Sequence, residues 1–280
     1  MSQFTKAFRL LHDLLGGCIG NPRLTAEALN LVPPAIRGMQ FGRDVRFPNQ
    51  AQAADGSATT ANPLLTYFDA HTEGQGIWKW RHYFDIYHRH LARFVGRKVH
   101  VMEVGIYSGG SLPMWREYFG NGCRIYGVDI ENACLAYEAE GTEVLIGDQA
   151  DRSFWKKVRQ QVPRIDVLID DGGHEPEQQL VTLEEMLPHV SPGGVYLCED
   201  IHSASNPFAA YVQGLARNLY SAVPGEVPAG TTGVAFSPTE FQRTIDSVHL
   251  YPFVAVIEKR AQPLTQLIAA KHGTQWQPFL

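Results

Sequence analysis

The chain has 280 residues, of which 44% are hydrophobic and 19% are charged, and its formal net charge is −5. This length and apolar content can build one large core, or a core with a helical extension. The slightly acidic balance argues against a nucleic-acid partner, and no apolar run reaches the roughly 18 residues of a membrane span.

Charges interrupt the apolar positions of the first twenty residues, which predicts an amphipathic helix near 3–16 rather than a signal peptide. The four cysteines, Cys18, Cys123, Cys134 and Cys198, form no Cys-x-x-Cys pair. Cys198 lies inside an apolar run, which is typical of a buried thiol. A reducing cytoplasm is the compartment that this usage favours.

The N-terminal region, residues 1–76, is predicted to be a helical and loop extension of a main domain at 77–280. A Gly/Pro/Asn break after the first helix leads to a short helical stretch near 25–31. Polar and small residues at 49–62 indicate a mobile connection. We expect the extension to act as a substrate lid or in oligomerisation, and its apolar helices favour a homo-oligomer.

A helix is predicted over 77–95, where apolar side chains recur at helical spacing. Its aromatic residues Trp78, Trp80, His82 and Tyr83 are expected either to pack in the core or to contact a cofactor or acceptor. From residue 98 onwards short apolar strands alternate with helices. The strands are predicted at 98–105, 123–130, 142–148, 165–171 and 194–200, and the helices at 111–119, 151–162, 175–189 and 206–220. This alternation predicts a parallel sheet covered on both faces.

The C-terminal part of the chain has a different pattern. Residues 247–260 read as two strands around Tyr251 and Pro252, an antiparallel hairpin at one edge of the sheet. The segment 221–238 is rich in Pro, Gly, Thr and Ala. It predicts a loop or lid over the carboxyl ends of the strands.

The turn after the first predicted strand carries the spacing Glu-x-Gly-x-x-x-Gly, with Glu103, Gly105 and Gly109. Glycines there let backbone amides approach a ligand, and Tyr107 and Ser111 belong to the same turn. The pattern is not the Gly-x-Gly-x-x-Gly fingerprint of dinucleotide sites. An acidic residue before the glycines suits an ammonium group rather than a pyrophosphate. The amino-acid tail of S-adenosylmethionine provides such a group.

Two further strand ends carry candidate cofactor contacts. Asp129 ends the second strand and can accept hydrogen bonds from ribose hydroxyls. Asp148 and Gln149 end the third strand and can bind the amine of an adenine. Strand ends also carry Asp and Gly simply as turn formers, so each position alone is a weak signal. Together with Glu103 and Gly105 they predict one nucleoside site.

This register resembles the class I S-adenosylmethionine-dependent methyltransferases over residues 77–260. The resemblance implies an α/β, Rossmann-like fold with a seven-stranded sheet, six strands parallel and one antiparallel, and helices on both faces. The terminal hairpin fits that fold.

Two acidic pairs close the fourth and fifth strands, which are neighbours in such a fold. They are Asp170-Asp171, followed by Gly172, Gly173 and His174, and Glu199-Asp200. Because side chains alternate along a strand, one acid of each pair points to the crevice. Converging carboxylates suit Mg²⁺ or Ca²⁺, and a neutral imidazole suits proton removal. Alternatively, Asp170 only supports the turn or touches the cofactor, and His174 only caps a helix.

The same two runs are similar to the metal-dependent macrolide and deoxysugar O-methyltransferases of antibiotic biosynthesis, to rhamnosyl O-methyltransferases and, more distantly, to a cephalosporin-hydroxylase-like group. The resemblance implies that Asp171, Glu199 and Asp200 surround Mg²⁺ and that His174 is the base. It implies O-methylation of a small-molecule acceptor, a sugar hydroxyl of a glycosylated natural product.

Three other interpretations remain open. A catechol-type O-methyltransferase would use the same metal to chelate a vicinal diol. A non-haem iron oxygenase could combine His174 and His202 with one carboxylate, although the cofactor register would then have no function. A binding module would keep S-adenosylmethionine without turnover.

Overall fold

The structure, a computed structural model, describes residues 22–47 and 62–273. The helix expected near 3–16 and most of the expected connection at 49–62 lie outside these residues. The chain divides into two compact units, Met1–Thr59 and Thr60–Leu280.

The described residues form eight α-helices and ten strands. The helices are α1 (Pro22–Asp44), α2 (Pro63–Ala70), α3 (Tyr83–Leu91), α4 (Ser111–Phe119), α5 (Arg152–Gln161), α6 (Pro176–Met186), α7 (Pro207–Ala216) and α8 (Glu240–Thr244). The strands are β1 (His100–Val104), β2 (Arg124–Asp129), β3 (Thr142–Ile146), β4 (Ile165–Asp170), β5 (Val190–Cys198), β6 (Val223–Pro224), β7 (Gly233–Ser237), β8 (Ile245–Tyr251), β9 (Val254–Lys259) and β10 (Leu267–Ala270). Within the described residues, none of the helices is long and apolar enough to cross a bilayer.

The first unit contains α1, which extends well beyond the short helical stretch expected near 25–31 and includes Pro33 and Pro34. Its apolar side chains Ile36, Met39 and Phe41 are exposed.

The second unit begins before residue 77, where the main domain was expected to start. The Asn62 side chain accepts hydrogen bonds from the backbone N–H groups of Leu64 and Leu65, and so caps α2. Leu64 is buried in the core of this unit. Residues 62–70 therefore belong to this second unit.

The main sheet has the strand order β3-β2-β1-β4-β5-β9-β8. Strands β1 to β5 pair in parallel, and β9 runs antiparallel to both β5 and β8. Six strands therefore share one direction and only β9 opposes them, which confirms the predicted Rossmann-like methyltransferase fold. Alternate strand residues face opposite helical layers. Tyr83 and Trp115 pack on one face, and Trp155, Leu183 and Phe208 on the other.

The prediction of a helix over 77–95 is wrong for the N-terminal end of that segment. Residues 77–80 adopt no regular structure, a turn follows, and α3 begins only at Tyr83. The physical reason is tertiary, because the side chains of Lys79 and Trp80 reach carboxylates at the edge of the sheet. Such contacts override the helical spacing of the apolar residues.

The loop predicted at 221–238 is partly a strand. Within it, β6 and β7 pair with each other, and β7 also pairs antiparallel with β10 to form a small three-stranded sheet. The partner strand lies about thirty residues further along the chain, so the local composition carried no sign of this pairing.

Candidate active site

A cavity of about 770 Å³ opens at the carboxyl ends of the parallel strands. This is the edge at which open α/β sheets bind their ligands. The predicted site residues that line its wall are Gly105, Tyr107, Asp129, Asp148, Gln149, Asp171, His174, Glu199 and Asp200. Four other predicted residues, Glu103, Gly109, Ser111 and Asp170, do not belong to the wall. The strand-end register thus gathers most of the predicted residues around one space.

Backbone strain is concentrated in the loops around this cavity. Tyr107, His174 and Asp200 have φ values of 45°, 59° and 54°, and they follow β1, β4 and β5. Residues other than glycine seldom adopt positive φ, and such strain persists where surrounding structure imposes it. The three loops that carry predicted site residues therefore also carry strained backbone.

Asp129 is held by the backbone around it. Its Oδ2 accepts a hydrogen bond from the N–H of Tyr107 at 3.0 Å, and its Oδ1 accepts one from the N–H of Glu131 at 3.0 Å. Asp148 is exposed and accepts from the N–H of Ala150 at 2.8 Å. Both carboxylates therefore have fixed orientations on the cavity wall.

The Gln149 side chain is fully used inside the protein. Its Oε1 accepts from the N–H of Gly173 at 2.7 Å, and its Nε2 donates to Asp170 at 3.0 Å and to Thr182 at 3.1 Å. The side chain ties the loop after β3 to the loop after β4. The adenine contact predicted for Gln149 stays a prediction. Because the side chain is already hydrogen-bonded within the protein, the backbone of Gln149 would have to make that contact.

Gly105 allows the closest approach of two loops in the site. Its φ is +81°, and a Cβ there would lie 2.1 Å from the carbonyl oxygen of Asp171. Only glycine fits this contact. Gly105 therefore also sets the position of a predicted metal ligand, besides its predicted contact with the cofactor.

Glu103 is fully buried beneath the cavity. It accepts a hydrogen bond from the Ser111 hydroxyl at 2.5 Å and forms an ion pair with Lys79 at 3.3 Å. Burial raises the pKa of Glu103, and the Lys79 charge opposes that rise. Lys79 thus places an ammonium group of the protein beside Glu103, where the ammonium group of S-adenosylmethionine was expected. The role of Glu103 in cofactor binding stays a prediction.

Lys79 is the main residue that the sequence analysis missed. Its Nζ lies 2.6 Å from Asp171 Oδ2 and 3.1 Å from Glu199 Oε2, and its side chain is only 3% exposed. Burial alone would lower the pKa of Lys79, but the charges of Asp171, Glu199 and Glu103 outweigh burial and hold it well above its usual range. The only sequence signal was a lone lysine between two tryptophans.

Glu199 is fully buried at the end of β5. Besides Lys79, it accepts a hydrogen bond from the Tyr87 hydroxyl at 2.6 Å. Burial, reinforced by the nearby Asp171 charge, raises the pKa of Glu199. The carboxylate predicted to ligate metal is therefore engaged by two protein donors.

Asp171, His174 and Asp200 form the group that could hold a metal ion, because their ligand atoms all lie within 4.8 Å of one another. His174 Nε2 lies 3.5 Å from Asp200 Oδ2. The other oxygen of Asp200 accepts hydrogen bonds from Trp80 at 3.0 Å and Tyr83 at 2.7 Å. Two carboxylates and one imidazole at this spacing fit a divalent cation.

Helix boundaries and hydrogen bonds bear on the alternative roles of His174, Asp170 and His202. The N-cap of α6 is Glu175, so His174 does not cap that helix. Asp170 is buried and accepts hydrogen bonds from Gln149 and Tyr196, and burial raises its pKa to about 7. These bonds, with one from the N–H of Gly172, tie Asp170 into the turn after β4, and its predicted contact with the cofactor stays a prediction. His202 approaches Asp200 at 3.5 Å but is not part of the group of close ligand atoms found among the described residues.

Three aromatic residues of segment 77–83, Trp78, Trp80 and Tyr83, line the cavity. Trp78 is 87% exposed and Trp80 is 49% exposed, whereas Tyr83 is buried and also belongs to the core. The Trp80 ring also packs on Phe253 at a centroid distance of 5.6 Å.

A second group of close ligand atoms, His90, His249 and Glu258, lies between α3 and the last hairpin. Its members are already hydrogen-bonded within the protein. His90 contacts Glu258 at 2.6 Å and the Tyr251 hydroxyl at 2.8 Å, and Arg93 adds a positive charge at Glu258. These contacts tie His90 and Glu258 into a hydrogen-bond network within the protein.

Known proteins similar to this chain point to one chemistry. Residues 102–201 match a family described as a methyltransferase domain. The 8-demethyl-8-alpha-L-rhamnosyl tetracenomycin-C 2'-O-methyltransferase of Streptomyces olivaceus is 30% identical over 203 residues, covering 67% of this chain and 53% of the relative. The demethylmacrocin O-methyltransferase of Streptomyces fradiae is 33% identical over 190 residues, covering 62% of this chain and 47% of the relative.

Among solved structures, a similar one is the MycE methyltransferase from the mycinamycin biosynthetic pathway, in complex with Mg, SAH and mycinamycin VI. It is 25% identical, with a TM-score of 0.56, and the match covers 71% of this chain and 53% of that one. The chain spans about half the length of the curated relatives that it matches.

Proposed function

We propose that this chain, a class I S-adenosylmethionine-dependent methyltransferase, methylates a sugar hydroxyl of a glycosylated natural product. A divalent cation, Mg²⁺, would assist the reaction. The acceptor class follows the relatives, one of which is named for methylation of a rhamnosyl group. The cation follows the solved complex of MycE with Mg and SAH.

One observation carries the proposal. Asp171, His174 and Asp200 converge at the end of the cavity formed by the loops after β4 and β5, while Asp129 ends β2 and Asp148 lies on the loop after β3. A nucleoside bound by the second pair would direct its reactive sulfonium toward the first group. Cofactor and acceptor groups thus share one enclosed space, as methyl transfer requires.

Asp171 and Asp200 would hold the cation, and they offer two negative charges from neighbouring strands. Glu199, the third ligand that the family resemblance implies, lines the same cavity but contacts Lys79 and Tyr87. When bound, the cation lowers the pKa of an acceptor hydroxyl, as it does for water.

His174 is the proposed base. It is partly exposed on the cavity wall, where its Nε2 lies 3.5 Å from Asp200 Oδ2. In the reaction, the hydroxyl proton passes to the imidazole and the hydroxyl oxygen bonds to the methyl carbon. The carbon–sulfur bond breaks, and its electron pair returns to sulfur. No protein acid is needed, because sulfur only loses its positive charge.

The test is a methyl-transfer assay read by mass spectrometry. The protein is incubated with S-adenosylmethionine and a panel of acceptors that carry free sugar hydroxyls, beside a panel of catechols. We expect the mass gain of one methyl substitution on a sugar hydroxyl, lost on chelation and restored by Mg²⁺. Methylation of catechols alone would instead favour the catechol-type reading, and oxygen consumption with bound iron would favour an oxygenase.

A further inference from the structure

The carboxylates beneath and around the proposed cation site share one internal counter-ion, Lys79. Its Nζ lies 3.3 Å from Glu103 on β1, 2.6 Å from Asp171 after β4 and 3.1 Å from Glu199 after β5. These three strands are adjacent in the sheet. One ammonium group therefore connects the ends of three neighbouring strands.

Burial strengthens the electrostatic interactions between Lys79 and the three carboxylates. Glu103 and Glu199 have no exposed side-chain surface, and the Lys79 side chain is 3% exposed. Like charges repel strongly where water is excluded, and buried charges are retained only when they are paired. Without the ammonium group, the three carboxylates would repel one another at short range. The ends of β1, β4 and β5 would also lose the ionic contacts that connect them.

The next residue extends the same function. Trp80 donates its indole N–H to Asp200 Oδ1 at 3.0 Å, while Lys79 binds Asp171 Oδ2. Two consecutive residues of one non-helical segment therefore hold the two carboxylates that face His174. The distance between Asp171 and Asp200 depends on this segment as well as on the sheet.

We infer that Lys79 is a positioning residue for the cation site. It holds Asp171 by one oxygen, so that the carboxylate faces Asp200 and His174, and it neutralises Glu103 and Glu199. This role rests on the proposed function. It goes beyond it because Lys79 would act through the carboxylates that it binds, and not on the acceptor or the methyl group.

Electrostatic repulsion and positioning by Lys79 predict opposite changes in cation affinity when the lysine charge is removed. A positive charge next to a cation site repels the cation, so simple electrostatics predicts tighter cation binding once the lysine charge is removed. Positioning predicts weaker binding, because Asp171 loses its fixed orientation. The direction of the change therefore separates the two effects.

The experiment measures Mn²⁺ binding by electron paramagnetic resonance, beside binding of S-adenosylhomocysteine by calorimetry. In Lys79→Met we expect Mn²⁺ affinity to fall at least tenfold, while S-adenosylhomocysteine affinity changes less than threefold. Lys259→Met is the matched control. Its half-buried ammonium donates to the backbone carbonyls of Leu187, Pro188 and Val190, the last at 2.6 Å, and Lys259 is not one of the residues that line the cavity. The control should bind Mn²⁺ like the unchanged protein.

A second variant covers the case in which Lys79→Met does not fold. In Lys79→Ala, added n-propylammonium can enter the space left by the side chain, and we expect it to restore Mn²⁺ binding, whereas tetramethylammonium should not. Unchanged or tighter Mn²⁺ binding in Lys79→Met, or no rescue of Lys79→Ala, overturns the inference and leaves the proposed function standing. An unchanged protein that binds no Mn²⁺ overturns both.

Discussion

Replacing Gly105 by alanine tests whether the glycine loop positions the metal end of the site. The new Cβ would lie 2.1 Å from the carbonyl oxygen of Asp171, 2.7 Å from its carbonyl carbon and 2.7 Å from the Cα of Gly172. All three atoms belong to the backbone, so no side-chain rotation can relieve the overlap. The loop after β4 must move, and it carries Asp171.

The expected cost has two parts. Alanine at a φ of +81° is strained by roughly 1–2 kcal/mol, and overpacking against fixed atoms adds about 1–3 kcal/mol. We therefore expect Gly105→Ala to lower the free energy of unfolding by ~2–5 kcal/mol, measured by urea denaturation. Mn²⁺ affinity should fall in parallel, because the ligand carboxylate is displaced.

Gly96→Ala provides the matched control. Gly96 has a φ of +74°, and a Cβ there would meet nothing within 4 Å. It should show only the strain, roughly 1–2 kcal/mol, with Mn²⁺ affinity unchanged. Equal destabilisation by the two variants would refute the close contact between the glycine loop and Asp171.

Three further predictions concern charge. Asp171→Asn should abolish methyl transfer and weaken Mn²⁺ binding, yet leave S-adenosylhomocysteine affinity nearly unchanged in calorimetry; equal loss of both would contradict its role as a metal ligand. His174→Ala should lose about 10²–10⁴-fold in rate, partly regained at higher pH as the hydroxyl itself ionises, and a loss independent of pH would exclude a base. The hydrogen bond from His90, with the charge of Arg93, lowers the pKa of Glu258 from 4.5 to about 2, so its stabilising effect is present above pH 4.5 and is lost as pH falls toward 2. Glu258→Gln should therefore cost ~1–3 kcal/mol near neutral pH in urea denaturation and flatten the pH dependence in that window, and a variant as stable as the unchanged protein would contradict the pairing.

The sheet was predictable because its signals are local. Each of the strands β1 to β5 is a short, largely apolar run with Asp or Glu within two residues of its carboxyl end. Both faces of the sheet are buried, which accounts for the apolar runs. The antiparallel β9 followed from the family resemblance and from the break at Pro252. The pairing of β7 with β10 could not be predicted, because the two strands are distant in the sequence and the composition around β7 favoured a loop.

The site was predictable to the extent that its residues end strands. Asp129, Asp171 and Asp200 line one cavity because parallel strands bring their carboxyl ends to one edge. The partners of these carboxylates were not predictable. Lys79 reaches Asp171 across 92 positions of sequence, and the side chain of Gln149 is used up by contacts with neighbouring loops. Such contacts depend on the packing of an irregular segment, for which no periodic pattern exists.

The most direct test of the account is a crystal structure of the protein with S-adenosylhomocysteine and Mn²⁺, with the metal located by anomalous scattering. The account predicts one metal peak in the cavity, bonded to the carboxylates of Asp171 and Asp200 and adjacent to His174, with the cofactor ribose at Asp129. A cavity that holds the cofactor without metal, or a metal peak bound only at His90, His249 and Glu258, would contradict it.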